Sequence, residues 1–423
     1  MSYMMVPLRP FGRDVFRFHV QEVSSRYERR RFARSVRNVY HGDPHGVPSL
    51  LCGRPSSLSP ARNPALASVE MGLFMAESSS PGLGTDQVVG TIAALVDRQA
   101  RDEGVAFFGM FEAINNEEVV AALLEKAEEW VSQRMPEVEL MRGPVGLDCP
   151  YVPGVLADGY NCPPSRFMPY NPPYYAELIE AAGYSGAGEL LVYSLDLASW
   201  AAVPEAERIE LDSSARCHLA PRASEQQGLA IRQWDIARPA SEPSLAGQIY
   251  RAGWEPACGS GTAQIQPPCE MLDGLGYLLA RHRLRLDPAL ALECEHEGEA
   301  VAVALALPDP GIGRGGLRRL LSPGRLLRSP VGQGPAPLAG LVRRRPDRIC
   351  ILPAGLHPDW REQGLDTLLY AELARAAARR GYRQAEFWPI DAEDAAQQVF
   401  EALGARPCRV YRLYEKTPGW SGE

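Results

Sequence analysis

Lysine is nearly absent from this chain: Lys126 and Lys416 are its only two, and every other basic side chain is arginine. Such a bias follows genome base composition and carries no functional weight. Paired cysteine motifs are missing too. The nine cysteines are scattered, odd in number and without a CxxC, so disulfide frameworks and zinc ribbons both fit poorly. Reduced thiols are expected. No uninterrupted run of about 18 apolar residues occurs, which excludes a spanning helix. The start, MSYMMVPLRPFGRD, has no apolar stretch of signal-peptide length, so a cytoplasmic location is expected. Positive charge is not in excess: the net charge is -8, which argues against a nucleic-acid-coating protein. The seven histidines show no ligand pairing on one helix face, and no metal is expected; His41 and His45 merely share a Gly/Pro loop.

What is present is globular. The chain has 423 residues, 45% hydrophobic and 23% charged, enough for two or three domains. Arginines cluster twice, nine between Arg9 and Arg37 and nine between Arg314 and Arg348. These clusters either face solvent or hold an anionic partner. Three stretches read as connections: 41–65, 201–228 and 308–347, each Gly/Pro-rich or lacking apolar periodicity.

Between them lie two similar blocks. In the first, Val88–Val96 and Val105–Phe111 read as strands. Glu117–Arg134 reads as a helix with Val120, Leu123, Leu124, Ala127 and Val131 on one face. A strand near Val138–Met141, a helix from Pro173 to Ala182 stopped by Gly183, and a strand at Leu190–Leu195 come next. In the second, a hairpin (Ala289–Cys294, Ala300–Leu307) precedes a strand at Ile349–Leu356. A helix at Gly364–Arg380, a strand at Gln384–Ile390, a helix at Ala392–Leu403 and a strand at Val410–Tyr414 complete it. The shared element order marks a distant internal duplication.

The segment ICILPAGLHPDWREQGLDT (349–367) runs from an apolar strand through a turn into a helix. Unpaired N–H groups at a helix start favour an anion, a Gly there lets a phosphate come close, and Arg361 can add a charge-assisted bond. An ordinary strand–turn–helix corner has the same pattern.

The ordered set of motifs resembles the GNAT superfamily of N-acyltransferases. The family's pyrophosphate motif, R/Q-x-x-G-x-G/A, is matched by Arg361-x-x-Gly364-x-Asp366. Its second motif is matched by AEFWPIDAEDAAQQVFEALGARPCRVYRLYEK (385–416). More narrowly, VYHGDPHGVPSL (39–50), FFGMFE (107–112), MRGPVG (141–146) and FMPYNPPYYAELIEAAGY (167–184) resemble a two-lobed bacterial GNAT-like group. The resemblance implies an α/β fold of the α+β kind: two tandem domains, each a mixed, mostly antiparallel sheet flanked by helices. Residues 1–200 would form the first lobe, 201–228 a linker and 229–416 the second lobe.

The resemblance also implies an acyltransferase using acetyl-CoA or a longer acyl-CoA on a small-molecule or peptide amine, by direct attack without a covalent enzyme intermediate. Cofactor-binding residues would be Ala354, Gly355, Leu356, Arg361, Gln363, Gly364, Leu365, Asp366, Thr367 and Phe400. Base candidates are Glu386, Asp391 and Asp394; acid candidates are Tyr411 and Tyr414. His357 lies near the cofactor loop, and Cys350 has no evident His partner. Arg142, Tyr170 and Asn171 are candidate substrate contacts within a first-lobe polar-aromatic cluster that also holds Tyr151, Tyr160, Asn161, Tyr174 and Tyr175 and suits a lobe–lobe interface equally; Trp388 is a candidate substrate contact outside that cluster. Trp254 is a further pocket candidate.

Three departures stand out. Asp366 replaces the family's Gly or Ala, and its carboxylate would repel a phosphate unless turned to cap the helix. Phe400 replaces the frequent acidic Tyr. The first half has no phosphate motif, and Glu117 and Glu118 begin its helix. The first lobe is therefore expected to be scaffold or substrate wall. A long-chain or carrier-protein-bound donor, drawn by the arginines, is one alternative; a non-catalytic binding protein is another. No nucleic acid or membrane partner is expected, and the chain would be a monomer or homodimer.

Overall fold

The apolar runs of both halves assemble into one continuous sheet. The structure is a computed structural model and describes residues 17–40, 58, 66, 68–78, 87–98, 104–145, 154–162, 165, 168–202, 228–234, 286–309, 346–361 and 363–417. The connection 41–65, the 308–347 arginine segment, Tyr151 and Trp254 therefore fall largely or wholly outside the described residues.

In the first half, β1 (Phe18–Glu22) is followed by helix α1 (Arg26–Val39), strands β2 (Val69–Ser78), β3 (Gln87–Asp97) and β4 (Val105–Ala113), helix α2 (Glu117–Arg134), strands β5 (Leu140–Val145) and β6 (Val155–Asp158), helix α3 (Tyr175–Ala181), strand β7 (Ser185–Asp196) and helix α4 (Leu197–Ala202). The second half has β8 (Leu229–Gln233), β9 (Ala291–His296), β10 (Glu299–Asp309), β11 (Arg348–Ile351), β12 (Gly355–Leu356), helix α5 (Leu365–Arg379), β13 (Gln384–Phe387), β14 (Ile390–Asp391), helix α6 (Ala396–Ala402) and β15 (Arg406–Lys416). The expected duplication is there: both halves run hairpin, strand, helix, strand, helix, strand.

Strand order along the sheet is β1-β2-β3-β4-β5-β15-β7-β13-β11-β10-β9-β8. Most neighbours are antiparallel; β4/β5 and β11/β13 are the parallel pairs. The last strand of each half docks on the other half. β7 pairs with β13 (Ala385 opposite Leu195), and β15 pairs with β5 (Tyr414 opposite Gly143). β7 and β15 then pair with each other over most of their length. The two halves thus share their central strands.

Each helix is held by an amphipathic stripe. In α2, Val119, Val120, Leu123, Leu124, Ala127, Trp130 and Val131 are buried against the first half's sheet, full burial of each Val or Leu being worth about 1.5–3 kcal/mol. The other face of that sheet is covered by α1, through Phe32. In α5, Leu365, Leu369, Leu373, Ala374 and Ala377 are buried with Phe387 and Phe400. No helix among the described residues is long and apolar enough to cross a membrane.

Several boundaries differ from the sequence reading. The stretch Ile349–Leu356 is not one strand. It breaks after Ile351, because Pro353 has no N–H to continue a ladder, and resumes as β12 on β10. The helix expected from Ala392 starts at Ala396, because Asp391 and Asp394 first turn the chain by accepting from the N–H groups of Glu393 and Ala396. The linker's first two residues, Ala201 and Ala202, belong to α4.

Candidate functional sites

The two parallel strand pairs each come apart, and each divergence leaves backbone groups to satisfy. In the second half, β11 and β13 pair through Ile351 opposite Phe387, and the Trp388 N–H still reaches the Ile351 carbonyl at 2.8 Å. Pro353 and Pro389 come immediately after. Then β12 turns to β10 and β14 to β7, so the strands splay. The freed Ala354 N–H donates to the Tyr370 hydroxyl at 2.9 Å. Gly355 and Leu356 form β12 beside it.

At the mouth of this splay α5 begins. Gly364 takes φ 74°, ψ 19°, a left-handed conformation costly for residues with a side chain. Arg361 is exposed, and Gln363 Nε2 donates to the Asp359 carbonyl at 2.7 Å. Leu365 and Thr367 are buried. Asp366 turns back onto its own helix, its Oδ1 accepting from the Thr367 N–H at 2.8 Å. Burial pushes the Asp366 carboxyl above its ordinary range, and the nearby Asp394 charge adds to this. A donor that a phosphate would use at this helix start is therefore already occupied.

The acid and base candidates of this half are engaged elsewhere. Glu386 is buried between two buried arginines: Oε1 meets Arg348 at 3.0 Å and Arg409 at 3.0 Å, and Oε2 meets Arg409 at 3.1 Å. Both oxygens are thus engaged by guanidinium groups. The Tyr411 hydroxyl donates to the Pro169 carbonyl at 3.0 Å, and that of Tyr414 to Glu180 at 2.9 Å. Phe400 stacks on Phe387, centroids 4.2 Å apart, with Tyr193 and Tyr370 around it. Burial, with the charges of Glu386 and Asp309, raises the Cys350 thiol well above its usual range and keeps it inert. His357 Nδ1 accepts from the Asp359 N–H at 3.3 Å.

The substrate candidates are also structural. Arg142 pairs with Glu415 through Nε at 3.1 Å and Nη2 at 2.8 Å, tying β5 to β15. Asn171 is buried; its Oδ1 accepts from the Leu156 N–H at 2.6 Å, and its Nδ2 donates to the Leu156 and Pro172 carbonyls. Trp388 sits in the apolar layer with Val192, Leu352 and Tyr411. Tyr170 gives its carbonyl to the Tyr40 hydroxyl at 2.8 Å.

That last contact leads to a group the sequence reading did not single out. In the first half β4 and β5 pair up to Gly109 opposite Val145. Here the backbones approach so closely that a Cβ on Gly109 would collide with the Val145 carbonyl. One extra residue in β4 then makes a bulge with Met110 at φ 46°, which re-aims the end of the strand. Glu112 and Ala113 keep β3 as partner on one edge only. On the open edge, the Ala113 N–H donates to the Tyr175 hydroxyl at 2.9 Å and its carbonyl accepts from Tyr174 at 2.9 Å. This is the counterpart of Ala354 and Tyr370: in both halves a tyrosine hydroxyl takes the N–H released by the splay.

Glu112 is 6% exposed. Its Oε2 lies 2.9 Å from the Tyr40 hydroxyl and 2.8 Å from that of Tyr175. No hydrogen bond from a described residue reaches Oε1. Burial pushes its carboxyl up to about 7, against the pull of the two tyrosines. Proton counting links the Glu112 charge to the Tyr40 hydroxyl. Tyr40 has one proton and two acceptors, Glu112 Oε2 and the Tyr170 carbonyl. If that proton goes to the carbonyl, Oε2 must carry its own. The sequence signal was a lone carboxylate in an otherwise apolar strand, VAFFGMFEA, since an acid at such a position is rarely buried without a reason.

No protein-family model matches the chain. Among solved structures, a tandem GNAT protein from the clavulanic acid biosynthesis pathway superposes with a TM-score of 0.52 at 11% identity, covering 96% of this chain and all of that one. The chain has the tandem GNAT fold. A GCN5-related glucosamine N-acetyltransferase region of a fungal β-N-acetylglucosaminidase gives a TM-score of 0.51 at 12% identity, covering 95% of this chain and 38% of that one. In sequence, the chain is 26% identical over 385 residues to protein YghO of Escherichia coli (strain K12), covering 90% of each chain. It is 26% identical over 251 residues to the bacterial ceramide synthase of Caulobacter vibrioides (strain NA1000 / CB15N), which is 58% of this chain and 60% of that protein. Among the described residues, the parallel pairs β4/β5 and β11/β13 both splay at their ends.

Proposed function

We propose that this chain is an N-acyltransferase, moving an acyl group from an acyl thioester of coenzyme A to an amine, and that Glu112 accepts the proton of the attacking amine. The tandem GNAT fold supports the reaction class. The buried Glu112 carboxyl, with one oxygen unbonded by any described residue beside the open edge of β4, supports the assignment of the base. The likeness to a ceramide synthase supports a long-chain amine as acceptor, and with it a donor longer than acetyl. In this reading 1–200 and 229–416 are two halves joined through 201–228.

The chemistry needs a neutral amine. Its nitrogen attacks the thioester carbonyl, the C–N bond forms, the C–S bond breaks, and the amine proton passes to Glu112 Oε1. The leaving thiolate takes a proton from water. A carboxylate with a pKa near 7 suits this task, because it is both present and basic at neutral pH. Tyr40 and Tyr175 hold it in place and can follow its charge by redirecting the Tyr40 proton.

The start of α2 does not suit the donor's diphosphate: Asn116 caps the Val119 N–H at 2.9 Å, and Glu117 and Glu118 come next. This favours a second reading, in which the donor binds at Arg361-x-x-Gly364 and reacts in the second half, with Ala354 through Thr367 and Phe400 lining its path and Glu386, Asp394, Tyr411 or Tyr414 exchanging protons. A carrier-protein donor belongs to the same reading. The bonds those four side chains already make weigh against it. Acyl transfer from long-chain acyl-CoA to a sphingoid base, measured on Glu112→Gln and Arg361→Ala, separates the two. The first reading predicts a loss of 100-fold or more, roughly the low end for removing a general base, in Glu112→Gln alone. Loss in Arg361→Ala alone moves the reaction to the second half. No turnover by the wild-type chain with any acyl-CoA favours a carrier-protein donor or a binding protein without catalysis.

A further inference from the structure

Helix α1 presents exposed arginines that no described acidic residue pairs with. Its sequence, RYERRRFARSVRNV, holds six arginines and one acid, in a chain whose net charge is -8. The single acid is withdrawn from the arginines. Ser25 and Glu28 form a capping box: the Glu28 N–H donates to Ser25 Oγ at 3.1 Å, and Glu28 Oε2 accepts from the Ser25 N–H at 2.8 Å and the Ser24 N–H at 2.9 Å. These bonds hold the Glu28 carboxyl down to about 2, so it stays an ionised cap.

The helix is fixed on one side and open on the other. Phe32 and Ala33 are buried toward the first half's sheet, and Arg31 pairs with the buried Glu77 of β2. Arg26, Arg29 and Arg30 are exposed, and none makes an ion pair with a described residue. Beside them stands Tyr27, 69% exposed, the one large hydrophobic residue in the open among the described residues. The Arg31 guanidinium lies 5.9 Å from its ring.

We infer that this face of α1 docks on an anionic lipid surface. Guanidiniums pair with lipid phosphates, and a tyrosine fits the headgroup layer, apolar ring inward and hydroxyl in water. Exposed arginines with an exposed aromatic beside them match a lipid headgroup layer, where charge and ring are both accommodated. This revises the expectation that no membrane is a partner, and it does not depend on where the acyl transfer occurs.

Co-sedimentation of the full chain with vesicles tests it. Binding is expected to phosphatidylglycerol-containing vesicles but not to pure phosphatidylcholine, and to fall away at high salt. The triple variant Arg26→Glu, Arg29→Glu, Arg30→Glu should lose more than about 100-fold in affinity, since removing three surface charges alone accounts for about that much and reversal adds repulsion, with an unchanged melting temperature. Tyr27→Ser should weaken binding severalfold at constant charge. Equal binding by the triple variant, or no binding by the wild type, overturns the inference. So does binding to an acidic carrier protein that the triple variant loses while vesicles are ignored.

Discussion

The Tyr175 hydroxyl donates to Glu112 Oε2 at 2.8 Å and accepts from the Ala113 N–H at 2.9 Å, so one side chain both holds the buried carboxyl and closes the strand edge beside it. Tyr175→Phe removes both contacts. The buried N–H is left unpaired, which costs about 1–3 kcal/mol and is read by chemical denaturation. The carboxylate also loses a donor that favours its ionised form. The acid limb of the pH–rate profile is then expected to move to higher pH.

Glu112 itself makes stability depend on pH. Its carboxyl goes from 4.5 in the unfolded chain to about 7 in the folded one. A raised carboxyl means the native state prefers the proton. That contribution is complete below about 4.5 and is lost as pH rises through about 7. Glu112→Gln cannot ionise and escapes the loss. Relative to wild type, the variant should gain about 3 kcal/mol between pH 4.5 and pH 9, at about 1.4 kcal/mol per unit. Denaturation midpoints of both proteins at several pH values check this.

Glu386 is expected to matter for folding and not for proton transfer. It joins Arg348 and Arg409 in a buried cluster. Removing one partner from a buried pair costs about 3–5 kcal/mol, because the others stay charged without it. Glu386→Ala should therefore lower the melting temperature sharply, with kcat per folded molecule unchanged.

Restoring a tyrosine at position 400 should not restore a catalytic acid. Phe400 is 3% exposed and stacked on Phe387. A hydroxyl there lies among aromatic rings, and an unpaired one costs about 1–3 kcal/mol. Phe400→Tyr is expected to be less stable and no faster.

Much of the architecture was legible in the residues. The buried stripe of α2 and the helix beginning near Gly364 follow from periodicity and punctuation. The break after Ile351 was also signalled, by Pro353. The strand exchange was not: that β15 pairs with β5 and β7 with β13 depends on contacts more than 180 residues apart, which no local pattern encodes. The site was harder. Motif order drew attention to Glu386 and Tyr411, yet motif order does not reveal that a side chain is already paired. Glu112 lies inside FFGMFE as the lone carboxylate of an apolar strand, a weak signal that its burial and its two tyrosines turn into a site.

The most direct measurement is the pH dependence of acyl transfer from a long-chain acyl-CoA to a sphingoid base, for the wild-type chain and Glu112→Gln, between pH 5.5 and 8.5. The prediction is a wild-type kcat/KM with a limb near 7 on top of the rise from deprotonating the amine, and a variant at least about 100-fold slower that keeps only the amine's rise. A Glu112→Gln variant with the wild-type rate and the same acid limb would contradict the assignment of Glu112 as the proton acceptor.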